Sequence, residues 1–136
     1  MRNMSEFFME KRIYYHDTDC GGVVYYANYF KHFEEARTEY LRSLGVDTAE
    51  YAAKGNLFAV VHMEIDYKCP ARYGDIVKVS AVVETVGNAS IHFIQEIKKG
   101  DKLLAKAKIV LACIDNNMKA RRIPEDLKEK FAANEK

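Results

Sequence analysis

The chain has 136 residues, with 21 Lys plus Arg against 20 Asp plus Glu for a net charge of +1. Residues 1–136 suit a single domain, large enough to bury a core without disulfide or metal staples, and the balanced charge offers nucleic acid no global attraction. The 3 cysteines are widely spaced with no C-x-x-C pair, so neither a disulfide framework nor a zinc module is expected.

In chain order, the opening MRNMSEFFMEKR lacks the apolar stretch of a signal peptide. No later segment reaches the length of a membrane span, so a cytoplasmic location is expected. Lys11 to His16, rich in aromatic and β-branched residues, reads as a strand leading into an Asp-rich turn. From Asn28 the period changes. Tyr29, Phe30, Phe33, Ala36, Tyr40, Leu41 and Leu44 recur at three- and four-residue steps, with Lys31, Glu34, Glu35, Arg37, Glu39 and Arg42 between them. That spacing predicts one amphipathic helix, with Asn28 as N-cap and Gly45 at the left-handed position after its end.

Thr48 to Gly55 reads as loosely helical or irregular. Leu57 to Tyr67 then alternates: Leu57, Ala59, Val61, Met63, Ile65 and Tyr67 form an apolar face against His62, Glu64 and Asp66, which predicts a long strand. Asp75 to Val86, Ser90 to Lys98 and Lys102 to Ile114 follow as strands, separated by the turn signals Gly87-Asn88 and Gly100-Asp101. Pro124 to Phe131 closes the series as a short helix. One strand, a long helix and four consecutive strands on hairpin-length turns predict an α+β fold, an antiparallel sheet on a central helix. Phe58, Val60, Leu104, Val110 and Ile114 put apolar residues on both faces of the sheet. One helix covers only one face, so a second copy is expected over part of the other or along a strand edge.

Chemistry concentrates between Tyr14 and Phe30, YYHDTDCGGVVYYANYF, where Asp17 and Asp19 flank a Gly-Gly turn that runs into the helix. A carboxylate on a loop facing a helix N-terminus sets a base beside N–H donors able to polarise a carbonyl. The blander reading is an Asx turn or a helix cap. Close-approach glycines and a helix start beside the same acids go beyond what a turn requires. His16, Asp17, Asp19 and Cys20 supply metal-ligand atom types, but strand alternation separates His16 from Asp17 and no second cluster exists, so no metal is expected. A calcium-loop reading fails at Gly21 and Asn28. Cys113 reads as core, Cys69 precedes Pro70, and no G-x-S-x-G occurs. His32, His62 and His92 are scattered, which leaves the carboxylates ahead.

The segment YYHDTDCGGVVYYANYFKHFEEARTEYLRSLG resembles the signature of the 4-hydroxybenzoyl-CoA thioesterase branch of the hotdog-fold superfamily, especially the acyl-CoA thioesterases associated with the Tol-Pal envelope system. The likeness extends through YKCPARYGD to the terminal strands. The resemblance implies a five-stranded antiparallel sheet wrapped around one long central helix. It also implies homodimers that join sheets edge to edge and pair into tetramers, with active sites at the dimer interface. Asp19 falls on the family's catalytic carboxylate, Asp17 on a loop-organising one, and Tyr26 on the residue whose backbone N–H holds the thioester carbonyl. Many Tol-Pal-type members carry His at the position of Tyr26, so a backbone role carries over and an imidazole role does not.

The function this implies is hydrolysis of an acyl-CoA thioester to a carboxylate and free CoA, with Asp19 either attacking directly or activating water. A thiol leaving group with a pKa of about 8.5 needs little help from an acid. Gly22, Val23, Tyr25, Asn28, Phe58 and Arg72 are the candidate substrate-binding residues, Arg72 at the nucleotide end. The basic residues between Lys98 and Arg122 read chiefly as solvated strand faces. Coenzyme A enters as part of the substrate, with no metal or redox cofactor implied. Two alternatives remain: a noncatalytic acyl-CoA or acyl-carrier-protein binding module at the envelope, and hydration of enoyl thioesters.

Overall fold

Five stretches of β-branched or alternating sequence pair into one antiparallel sheet in the computed structural model, which describes residues 7–19, 21–24 and 26–134. The elements run β1 (Phe7–Arg12), α1 (Asn28–Ser43), α2 (Thr48–Ala53), β2 (Leu57–Tyr67), β3 (Ile76–Val86), β4 (Ser90–Lys99), β5 (Lys102–Ile114) and α3 (Glu125–Asn134). The strand order is β1-β3-β4-β5-β2. Val77, Val79, Ala81 and Val83 of β3, Ile91, Phe93 and Ile97 of β4 and Ala105, Ala107, Ile109 and Leu111 of β5 face inward by strict alternation. They meet Tyr29, Phe33, Ala36, Tyr40 and Leu41, the apolar stripe of α1. This is the hotdog arrangement, α+β, with the long helix as the filling of the sheet.

Helix α1 begins within one residue of its expected cap. Ala27, already helical at φ −69°, is the N-cap without a side-chain bond, and Asn28 is the first helical residue. At the far end Gly45, at φ +79°, donates to Arg42 O and Val46 donates to Leu41 O, both at 2.9 Å. That pairing closes the helix as the left-handed glycine predicts.

Four expectations change. The first strand ends at Arg12 rather than His16, because the Asp17 carboxylate accepts the Tyr14 N–H at 2.9 Å and turns Tyr15–Asp17 into a single 3-10 turn. Strand β2 does not form a hairpin with β3. Lys68 and Cys69 both donate to Leu104 O, so the chain leaves β2 beside β5 and crosses to the opposite half of the sheet. Within β2 the register shifts between Val60 and His62, which leaves Val61 61% exposed instead of on the buried face. Arg37, placed by periodicity on the polar side of α1, is buried at 7% exposure, with Nη1 donating to Gln95 Oε1 at 3.0 Å.

Candidate active site

The acidic turn is tied to three neighbours. Asp17, 4% exposed, accepts the Tyr14 N–H through Oδ2, while its backbone carbonyl accepts the Asn28 side-chain N–H at 2.9 Å. Asn28 thus fastens the turn to the first residue of α1. Val23 bridges Arg72, Val24 N donates to Ala71 O at 2.8 Å, and Tyr73 N donates to Gly22 O at 3.0 Å. The Gly-Gly loop is therefore backed by the segment between β2 and β3. Gly22, at φ +79°, occupies the left-handed region that this return requires.

Asp19 lies at the crest of this turn. Its Oδ1 accepts the Gly21 N–H at 2.8 Å, its N–H donates to Val23 O, and its carbonyl accepts from Gly22 N. A Cβ at position 21 would sit 3.2 Å from Asp19 Oδ1, so glycine there permits the close approach. The bond to Gly21 is the Asx turn of the bland reading. It fixes one carboxylate oxygen, and among the described residues Oδ2 of Asp19 has no hydrogen-bond partner. On a single chain Asp19 is exposed.

The helix entry lies beside the same loop. Tyr26, two residues ahead of α1, has its carbonyl accepting both the Tyr67 phenol O–H at 3.1 Å and the Tyr29 N–H at 3.3 Å. Val24, Tyr26, Tyr29, Tyr67, Lys68, Cys69 and Pro70 surround a shallow cavity of about 310 Å³ at this point. Tyr29 is buried, and its phenol oxygen accepts the Ala71 N–H at 3.0 Å. Burial pushes the Tyr29 and Tyr67 phenols up from their ordinary value, so both stay protonated at neutral pH.

One buried group beneath the turn has no hydrogen-bond partner among the described residues. His32 is 1% exposed, and neither ring nitrogen makes a hydrogen bond to the described residues. Asp17 Oδ1 lies 3.8 Å from Nε2, and Glu35 Oε1, itself paired with Lys11 at 3.1 Å, lies 3.8 Å from Nδ1. Burial holds the imidazole below its usual pKa against the pull of Asp17, and Lys11 acts in the same direction as burial.

The structure therefore brings Asp17, Asp19, Gly22, Val23, Tyr26, Asn28 and Arg72 to one end of the molecule. Phe58 is elsewhere. It lines a separate groove with Arg37, Leu41 and Asn56, near the opposite end of β2 and roughly 30 Å along the strand from Tyr67. Tyr25 and Cys20 lie outside the described residues. Of the basic residues near the end of the chain, Lys99 is held by Asp75 at 2.9 Å and Lys98 by Glu96 at 3.6 Å. Tyr67 escaped the sequence reading, since 41 residues separate it from Tyr26 and alternation marked it only for burial. Among the described residues no group of three or more His, Cys, Asp or Glu is placed to hold a metal ion, and no helix is long and apolar enough to cross a membrane.

A hotdog sheet with a carboxylate turn at the mouth of its central helix defines a class, and comparison with known proteins agrees. The chain belongs to the thioesterase-like superfamily, whose model matches residues 14–131. It is 40% identical over 122 residues to the acyl-CoA thioesterase YbgC of Haemophilus influenzae, covering 88% of this chain and 90% of that one. Among solved structures, a probable thioesterase from Bartonella henselae superposes with a TM-score of 0.80 at 33% identity, over 90% of this chain and all of that one. A 1,4-dihydroxy-2-naphthoyl-CoA thioesterase from Synechocystis superposes with a TM-score of 0.87 at 26% identity, covering 94% and 96% of the two chains.

Proposed function

We propose that this protein is an acyl-CoA thioesterase, hydrolysing a thioester to a carboxylate and free CoA. In this reading Asp19 supplies the nucleophile or general base, and the backbone N–H of Tyr26 at the entry to α1 polarises the carbonyl. The observation that carries it is the grip on Asp19: Oδ1 is pinned by Gly21 and Oδ2 is left without a partner among the described residues, on a turn fastened to the helix through Asn28. A carboxylate so oriented loses little freedom on meeting an electrophilic carbon, which favours reaction. The thiolate departs without a proton donor, so an acid is not required of the site.

The finer assignments rest on the resemblance carried by the long acidic-turn signature. They are membership of the 4-hydroxybenzoyl-CoA-like, Tol-Pal-associated branch, residence in the cytoplasm as one domain spanning residues 1–136, and assembly as a homodimer or dimer of dimers. No cofactor is proposed beyond the coenzyme A of the substrate; an acyl-carrier-protein thioester is the alternative carrier. Arg72 stands at the loop as the candidate for the nucleotide end. The test is Asp19→Asn with a thiol-release assay across short, long and aromatic acyl-CoAs. Loss of hydrolysis by a hundredfold or more, with binding kept, is expected. Unchanged hydrolysis would remove Asp19 from the chemistry. A wild-type protein that binds thioesters without releasing thiol would make it a binding module instead.

A further inference from the structure

The phenol of Tyr67 spans the gap between the last residue of β2 and the entry to α1. Its O–H donates to the Tyr26 carbonyl at 3.1 Å, and its ring lies edge-on to Tyr26 at 6.5 Å and tilted against Tyr29 at 5.2 Å. Tyr26 is 60% exposed, so burial contributes little to fixing its backbone. Helix caps ordinarily supply such constraint. Here Ala27 offers no side-chain cap, and the Asn28 side chain is committed to Asp17 O. A hydrogen bond to the Tyr26 carbonyl, which also accepts the Tyr29 N–H, holds the peptide plane that Tyr26 shares with Ala27, and with it the Cα from which the Tyr26 N–H projects.

We infer that Tyr67 is a positioning residue, anchoring the Tyr26 Cα at the helix entry so that the N–H projecting from it can meet the thioester carbonyl oxygen. This rests on the thioesterase reading given above. The oxyanion donor is thereby set from the edge strand β2 rather than from the helix it opens. Tyr67 touches no reacting atom in this role. It acts on the transition state, where the carbonyl oxygen gains charge and donor aim matters most, and hardly on substrate capture. The raised pKa of the phenol keeps the donating proton in place through neutral and mildly alkaline pH.

The experiment uses the full-length chain. Tyr67→Phe removes the hydroxyl and keeps the ring, and kcat is expected to fall about three- to tenfold with KM within twofold, the size of one net hydrogen bond. A second readout uses the Asp19→Asn protein loaded with an acyl-CoA labelled with 13C at the thioester carbon. Polarisation by the Tyr26 N–H moves the bound carbonyl resonance downfield of free substrate, and adding Tyr67→Phe is expected to return most of that displacement while the ligand stays bound. The resonance position per bound ligand does not depend on how much of the variant folds. Unchanged kcat and an unchanged carbonyl shift in Tyr67→Phe would overturn the inference, as would a rise in KM alone, which marks a pocket wall. Full hydrolysis by Asp19→Asn would instead overturn the reading beneath it, so the two failures are separable.

Discussion

At the scale of single residues, the buried imidazole of His32 has the clearest consequence. Burial disfavours the charged form of an imidazole that has no hydrogen-bond partner among the described residues, and it outweighs Asp17 and Glu35 in setting the pKa below 6.5. The unfolded chain protonates this residue near pH 6.5 and the folded chain only at lower pH, so between those values the unfolded state binds more protons. The associated stability is complete above about pH 6.5 and declines as the pH falls below it. His32→Leu removes the group, and thermal unfolding followed from pH 7 to pH 5 should show a shallower loss of Tm in the variant than in the wild type. Parallel curves would mean that His32 is solvated or bonded in solution. Asp17 Oδ1 lies 3.8 Å from His32 Nε2 and 3.5 Å from His16 Nδ1.

Elements obey the sequence where the information is local. Strand β5 runs from Lys102 to Ile114 as its alternation predicts, and α1 ends at the glycine that its pattern marks. Gly45 sits at φ +79° with nothing within 4 Å of an added Cβ, so Gly45→Ala meets only the backbone penalty of that region. About 1 kcal/mol of stability should be lost, read as a lower urea midpoint at unchanged m. Thioester hydrolysis per folded molecule should persist, because the opposite end of α1 adjoins the acidic turn. An unaltered midpoint would show that the turn relaxes at no cost. Where structure departs from pattern, a distant partner decides. Gln95 draws Arg37 inward, Leu104 captures Lys68 and Cys69 after β2, and Tyr67 finds Tyr26. The early end of β1 is the local exception, set by the Asp17 carboxylate on the Tyr14 N–H. The acidic turn and the helix beside it were legible because they are contiguous in the chain. Their fastening by Ala71, Arg72 and Tyr73 was not, since it joins segments that only folding brings together.

On the scale of the whole molecule, the edge strand β2 is the unfinished part. Among the described residues it pairs with β5 on one side only, and Val60 and Val61 are 47% and 61% exposed along it. A bare edge with exposed valines invites a second strand. Antiparallel pairing of β2 with its own copy would set the beginning of one strand against the end of the other, bringing the Phe58 end of one chain to the Tyr67 end of its neighbour. Such a pairing would wall the site, where Asp19 is exposed on one chain and Phe58 stands far from it. Val61→Lys places a charge on that edge. The wild type should sediment as a dimer or larger at micromolar concentration, and the variant as a monomer with its fold intact by circular dichroism. Hydrolysis should then fall at least tenfold per chain and recover in part as protein concentration rises, because pairing remains possible at a weaker constant. A monomeric Val61→Lys protein with full turnover at every concentration would mean that each chain carries a complete site, and the walls of the pocket would have to be sought among Tyr26, Tyr29 and Tyr67 alone.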